Sequence, residues 1–111
     1  MNYNDAQLLE CAAKAAGIET HGWRATEPSG YFVLPEKETG AYTLWNPLTD
    51  DGDALRLAVK LQMTVSTCEW GMNTVAVIAQ HAHCAEPHNI DSYAATRRAI
   101  VRAAAEIGRA S

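Results

Sequence analysis

The sequence has no long apolar run, no basic excess and no patterned set of cysteines. A membrane-crossing helix needs roughly twenty mostly apolar residues in a row, and no stretch comes near that. The opening "MNYNDAQLLE" also lacks a basic segment followed by an apolar one. The expectation is therefore no export, no membrane insertion and a cytoplasmic location. With 9 Lys and Arg against 13 Asp and Glu, the formal charge is −4. Phosphate neutralisation needs a basic face, so nonspecific nucleic-acid binding is not expected. The 3 cysteines, Cys11, Cys68 and Cys84, are odd in number and widely spaced. That suits buried free thiols in a reducing compartment better than a disulfide framework.

Catalytic signatures are also missing. There is no glycine-rich phosphate loop, no G-x-S-x-G elbow and no H-E-x-x-H pair. Cys68 and Cys84 have histidines nearby in the chain, but a reactive thiolate needs a positioned base and electropositive surroundings. No cofactor is implied, and no motif argues for an enzyme.

What is present is ordinary globular composition, 48% hydrophobic and 20% charged, unlike the low-hydrophobicity signature of disorder. At 111 residues the chain, 1–111, is expected to form a single domain with one core. "NDAQLLECAAKAAG" starts with Asn4 or Asp5 as an N-cap and closes on Gly17, with Leu8, Leu9, Ala12, Ala15 and Ala16 at helical spacing. A polar loop follows, with room for a short strand near Trp23. "YFVL" and "AYTLW", separated by "PEKETG", predict a hairpin. Pro47 keeps Asn46 out of helical geometry, and "TDDGD" introduces a second helix from Asp51 to Leu61.

"MTVSTCEW" alternates as a strand, "GMN" turns, and "TVAVIAQHAH" returns as its partner, with "CAEPHNI" an irregular loop. Asp91 or Ser92 caps a last helix that stops near Gly108. These elements predict an α+β domain, with three helices packed on a small antiparallel sheet of about four strands, in the order α-β-β-α-β-β-α. The open edges of such a sheet offer a route to a homodimer.

Four groups of residues invite a chemical reading. Asp50, Asp51 and Asp53 suggest a cation loop, but no spread of acidic positions ending in glutamate follows, and the same residues suit an N-cap and the positive end of a helix dipole. Gly52 among them lowers helix propensity, which asks for a backbone reason. His81, His83, Cys84 and His88, with Glu86, are the best metal or catalytic candidates, set against a polar strand end. Zinc sites usually show two firmly spaced pairs, and only one is present here, so no metal ligand is assigned.

On the last helix, Tyr93, Ile100, Ala104 and Ile107 share one face, while Arg98, Arg102 and Arg109 form a stripe nearly opposite. That stripe is either a solvated face or a docking surface for an acidic partner. Arg97 falls on the apolar side. Its stem lies along the core edge, or it pairs with a carboxylate of the Asp50–Asp53 turn, or it reaches a ligand pocket. Trp23, Trp45 and Trp70 sit at element edges, where tryptophan is core rim or part of a stacking surface. Trp23, Trp45 and Trp70 with Tyr31, Tyr42 and Arg97 make up a candidate site for a base or aromatic ligand, with Arg97, Trp45, Tyr42 and Trp70 as its ligand-binding residues.

The segments "LLECAAKAAG", "LWNPLTDDGDALRLAVKLQMTV" and "ATRRAIVRAAAEIG" together resemble, in layout, the NinX-type accessory proteins of bacteriophages and prophages. The resemblance spans most of the chain except "ETHGWRATEPSG" and "CEWGMNTVAVIAQHAHCAEPH", and its motifs are structural. It implies expression in the cytoplasm of an infected or lysogenic bacterium, and it transfers no catalytic residue. The resulting expectation is a noncatalytic accessory protein that binds a host or phage component, a protein or a small nucleotide-like ligand, and so counteracts host defence. The alternative is a small metal-dependent protein or enzyme using the histidine cluster.

Overall fold

The computed structural model describes residues 4–20, 23–24, 31–35, 42–69, 73–78, 82–88 and 91–109. Asn4 starts α1 (Asp5–Ala16) with a reciprocal cap. Its side chain accepts the Gln7 N–H at 2.8 Å, and its own N–H donates to Gln7 Oε1 at 3.0 Å. The helix closes on Gly17, whose φ of 68° is left-handed, and the Ile18 N–H returns to the Ala13 carbonyl at 2.9 Å.

The strands β1 (Trp23–Arg24), β2 (Tyr31–Pro35) and β3 (Tyr42–Trp45) follow and pair as an antiparallel sheet in chain order. The chain then turns at Pro47 into α2 (Asp51–Lys60). Asp50 is the N-cap, accepting the Asp53 N–H at 2.8 Å. Leaving α2, Gln62 takes a left-handed φ of 55°, and the Met63 N–H bonds to the Ala58 carbonyl at 2.9 Å.

A second antiparallel sheet is made of β4 (Thr64–Glu69), β5 (Asn73–Ile78) and β6 (Ala82–Pro87), also in chain order, with a register shift between Ser66 and Glu69. The last helix, α3 (Ser92–Arg109), is capped by Asp91, which accepts the N–H groups of Tyr93 and Ala94 at 3.0 and 3.1 Å. The α+β class stands. In place of one sheet of about four strands, the described residues form two sheets of three. "CAEP", expected in a loop, is part of β6, because pairing with β5 supplies the ladder that its weak strand propensity does not.

α3 is the central element, packed against α1, α2, β5 and β6. Its buried side chains are small, with Ala95, Ala99, Ala103, Ala104 and Ala105 alongside Ile100 and Val101. Small residues let neighbours approach from several sides. Leu9, Ala12, Ala13 and Ala16 of α1 meet Val101 and Ala104 in the main core, together with Trp45, Leu57 and Ile100. A second cluster joins Ala76 of β5 and Cys84 of β6 to Ala99 and Ala103, and Leu61, Met63 and Val65 bridge the two clusters.

The closest approach is at Gly108, which lies inside α3 and is buried. A Cβ there would overlap the Cys11 carbonyl oxygen and stand 2.6 Å from its carbonyl carbon. The helix does end near Gly108, at Arg109, but Gly108 itself lies within the last turn. It is the point where the α1 backbone touches α3.

Candidate functional site

The acidic turn before α2 is a structural knot. The Asn46 side chain accepts the Leu48 N–H at 2.9 Å, and its carbonyl accepts the N–H groups of Thr49 and Asp50 at 3.1 and 2.9 Å. Asp53, 9% exposed, takes the Asn46 N–H at 3.0 Å on one oxygen and Arg56 at 2.7 Å on the other. The Arg56 fork lies across Gly52, where a Cβ would come within 3.2 Å of both terminal nitrogens. The glycine leaves room for that fork.

Arg97 takes the second of its three expected places, the internal pair. Its Nε donates to the Leu48 carbonyl at 2.8 Å and a terminal nitrogen donates to Asp51 Oδ1 at 2.7 Å. The Arg97 side chain is 17% exposed and the Asp51 side chain 71%, so Asp51 is the more exposed member of the pair. Between them they tie the Pro47 turn to α3.

Beside this pair, α2, α3 and β4 border an open cavity of about 510 Å³. Ala54, Ala58, Val65 and Ile100 supply apolar walls, and Asp51, Thr67, His88 and Arg97 supply polar groups. Leu55 and Tyr93 line the same cavity while being 64% and 71% exposed. A smaller cavity of about 420 Å³ lies between the end of β6 and the start of α3, and His88 borders both. The Thr96 hydroxyl donates to the Ser92 carbonyl at 2.8 Å, which fixes the polar side of the α3 wall.

Among the candidate ligand residues, the described side chains are those of Arg97 and Trp45. Trp45 is 4% exposed and belongs to the main core, away from the cavity walls. Tyr42 contributes backbone to β3 opposite Pro35, its side chain lies outside the described residues, and Trp70 lies wholly outside them. Of the proposed aromatic and arginine site, the described residues bring only Arg97 to the cavity.

The arginine stripe is ion-paired and about half-exposed. Arg98 and Arg102 both reach Glu86 of β6 at 3.3 Å; Arg98 also reaches Asp5 at 3.6 Å, and Arg102 donates to the Ala85 carbonyl at 3.3 Å. Arg109 pairs with Glu106 at 2.6 Å. β6 packs beside this face, where Arg98 and Arg102 link the helix to the sheet and Arg109 pairs within α3.

In the histidine cluster, His81 lies outside the described residues and His83 is described only as β6 backbone opposite Val77. Cys84 is buried against α3, and that burial pushes its thiol above the ordinary value of 9.0, with Arg102 opposing and Glu106 and Glu86 adding to the rise. A thiol held protonated is a poor nucleophile and a poor metal ligand. No group of three His, Cys, Asp or Glu suited to a metal ion occurs among the described residues.

The cavity walls themselves were not singled out from sequence. One signal was available: α2 is apolar beyond a single stripe, with Leu55 and Val59 exposed in addition to the buried Ala54, Leu57 and Ala58. No helix among the described residues is long and apolar enough to cross a membrane. No family model, no curated protein and no solved structure matches the chain.

Proposed function

We propose that this chain is a noncatalytic binding module whose binding surface is the groove between α2, α3 and β4. The observation that carries this reading is the cavity of about 510 Å³, apolar at its walls and polar at its rim, with Leu55 and Tyr93 exposed along it. Ligand pockets are typically concave, about 300–1,000 Å³, mostly apolar and furnished with a few polar groups. A nucleotide-like occupant is less well served, because two of the Arg97 donors are taken by Leu48 and Asp51.

In this reading the protein is a phage or prophage accessory factor in the bacterial cytoplasm that captures a host or phage component and so blunts host defence. The setting is supported by the NinX-like sequence layout, and plating of phage on cells with and without the expressed chain tests it.

The groove is tested with Nile red, a neutral apolar dye. Saturable one-to-one binding is expected, weakened at least about tenfold by Thr67→Trp, which fills the cavity from the exposed side of β4. Equal binding by wild type and a folded variant would sink the groove as the site.

A further inference from the structure

We infer that the groove selects a small amphipathic amine, an aromatic or alicyclic body bearing one cationic head. This deepens the reading above and rests on the groove being the binding surface. The first support is the character of the walls. Ala54 and Ala58 lie one turn apart on α2 and share the cavity lining with Leu55, Val65 and Ile100, so an apolar body finds an apolar surface there.

The second support is the polarity of the charged edge. Arg97 is 17% exposed, with Nε on the Leu48 carbonyl at 2.8 Å and a terminal nitrogen on Asp51 at 2.7 Å. Asp51, 71% exposed, is the more exposed member of the pair. A carboxylate offers about four lone-pair directions, and the contact with Arg97 uses one of them. An ammonium therefore finds an acceptor at this edge, whereas a carboxylate or phosphate meets like charge beside an engaged guanidinium. Tyr93, 71% exposed, adds an aromatic face to the same cavity, and such a face favours a cation over an anion.

The test compares three probes that share the indole ring: tryptamine, the neutral 3-methylindole and indole-3-propionate, titrated calorimetrically into the full chain. Tryptamine should bind about tenfold more tightly than 3-methylindole, the size of one charge-assisted hydrogen bond, and propionate more weakly than either. Asp51→Asn keeps an acceptor for Arg97 and should erase the advantage of the amine while leaving 3-methylindole unchanged.

Propionate binding as tightly as tryptamine, or an unchanged order in Asp51→Asn, overturns the inference. If Nile red saturates the groove and none of the three indoles binds, the amine class is wrong and the groove stands. If Nile red also fails to bind, both readings fall.

Discussion

Replacing Gly108 by alanine isolates the contact that sets the spacing of α1 and α3. The added methyl cannot coexist with the Cys11 carbonyl, because its carbon would lie 2.6 Å from the carbonyl carbon and overlap the oxygen. The obstacle is backbone on both sides, so no rotamer change relieves it. Either α1 moves away from α3, thinning the contacts of Ala12, Ala13 and Ala16, or the last turn of α3 unwinds.

Overpacking of this kind costs about 1–3 kcal/mol and sometimes more. Alanine in a helix recovers about 1 kcal/mol relative to glycine. The position is one residue from the end of α3, so unwinding limits the cost. A net loss of about 1–2 kcal/mol is expected, or roughly 5–10 °C in Tm for a domain of this size. Urea denaturation followed by circular dichroism measures it. Gly52→Ala is the control, because its Cβ would meet only the flexible end of Arg56 and the Asp50 carboxylate at 3.2 and 3.3 Å. That variant should be neutral or gain up to about 1 kcal/mol. If Gly108→Ala is as stable as Gly52→Ala, the close approach of the helices is refuted.

Asp53→Ala should cost about 1–3 kcal/mol in urea titrations, since it strands the buried Asn46 N–H while the exposed Arg56 fork passes to water; a loss under about 0.5 kcal/mol would contradict the knot. Arg97→Ala should lose about 1–2 kcal/mol, most of it from the Leu48 carbonyl because the Asp51 partner is exposed, and chemical denaturation against wild type reads the difference. Gln62→Gly should raise stability by about 0.5 kcal/mol, since a left-handed φ of 55° strains glutamine and not glycine; a lower Tm would argue against that geometry. The raised Cys84 pKa means that the unfolded chain releases this proton first. Its contribution is complete below the ordinary value of 9.0 and declines as pH rises through the folded-state value. Urea midpoints at pH 8, 9 and 10 should show an alkaline decline that is shallower in Cys84→Ala.

Little of the candidate site was legible in the sequence. Arg97 was marked because it falls on the apolar side of α3, and the structure joins it to the Asp50–Asp53 turn 46 residues earlier for the Asp51 bond. Trp45 offered the same surface chemistry as any edge tryptophan, and only the packing of Leu9, Leu57 and Val101 put it in the core. The cavity walls are alanines, a valine and an isoleucine, residue types that announce burial and nothing more. Their arrangement around an open space depends on how α2, α3 and β4 meet.

The sequence by itself determined where the helices begin and how α1 is terminated. Asn4, Asp50 and Asp91 cap through bonds to N–H groups two or three residues away, and Gly17 turns the chain through local left-handed geometry. Such interactions close within one turn, so neighbours in the chain suffice to specify them. Tertiary structure alone decided that Gly108 is a contact point for α1, that Arg98 and Arg102 pair with Glu86 while staying partly exposed, and that "CAEP" is a strand. Each of these depends on a partner far along the chain, and only the burial of apolar surface on several sides of α3 brings that partner into place.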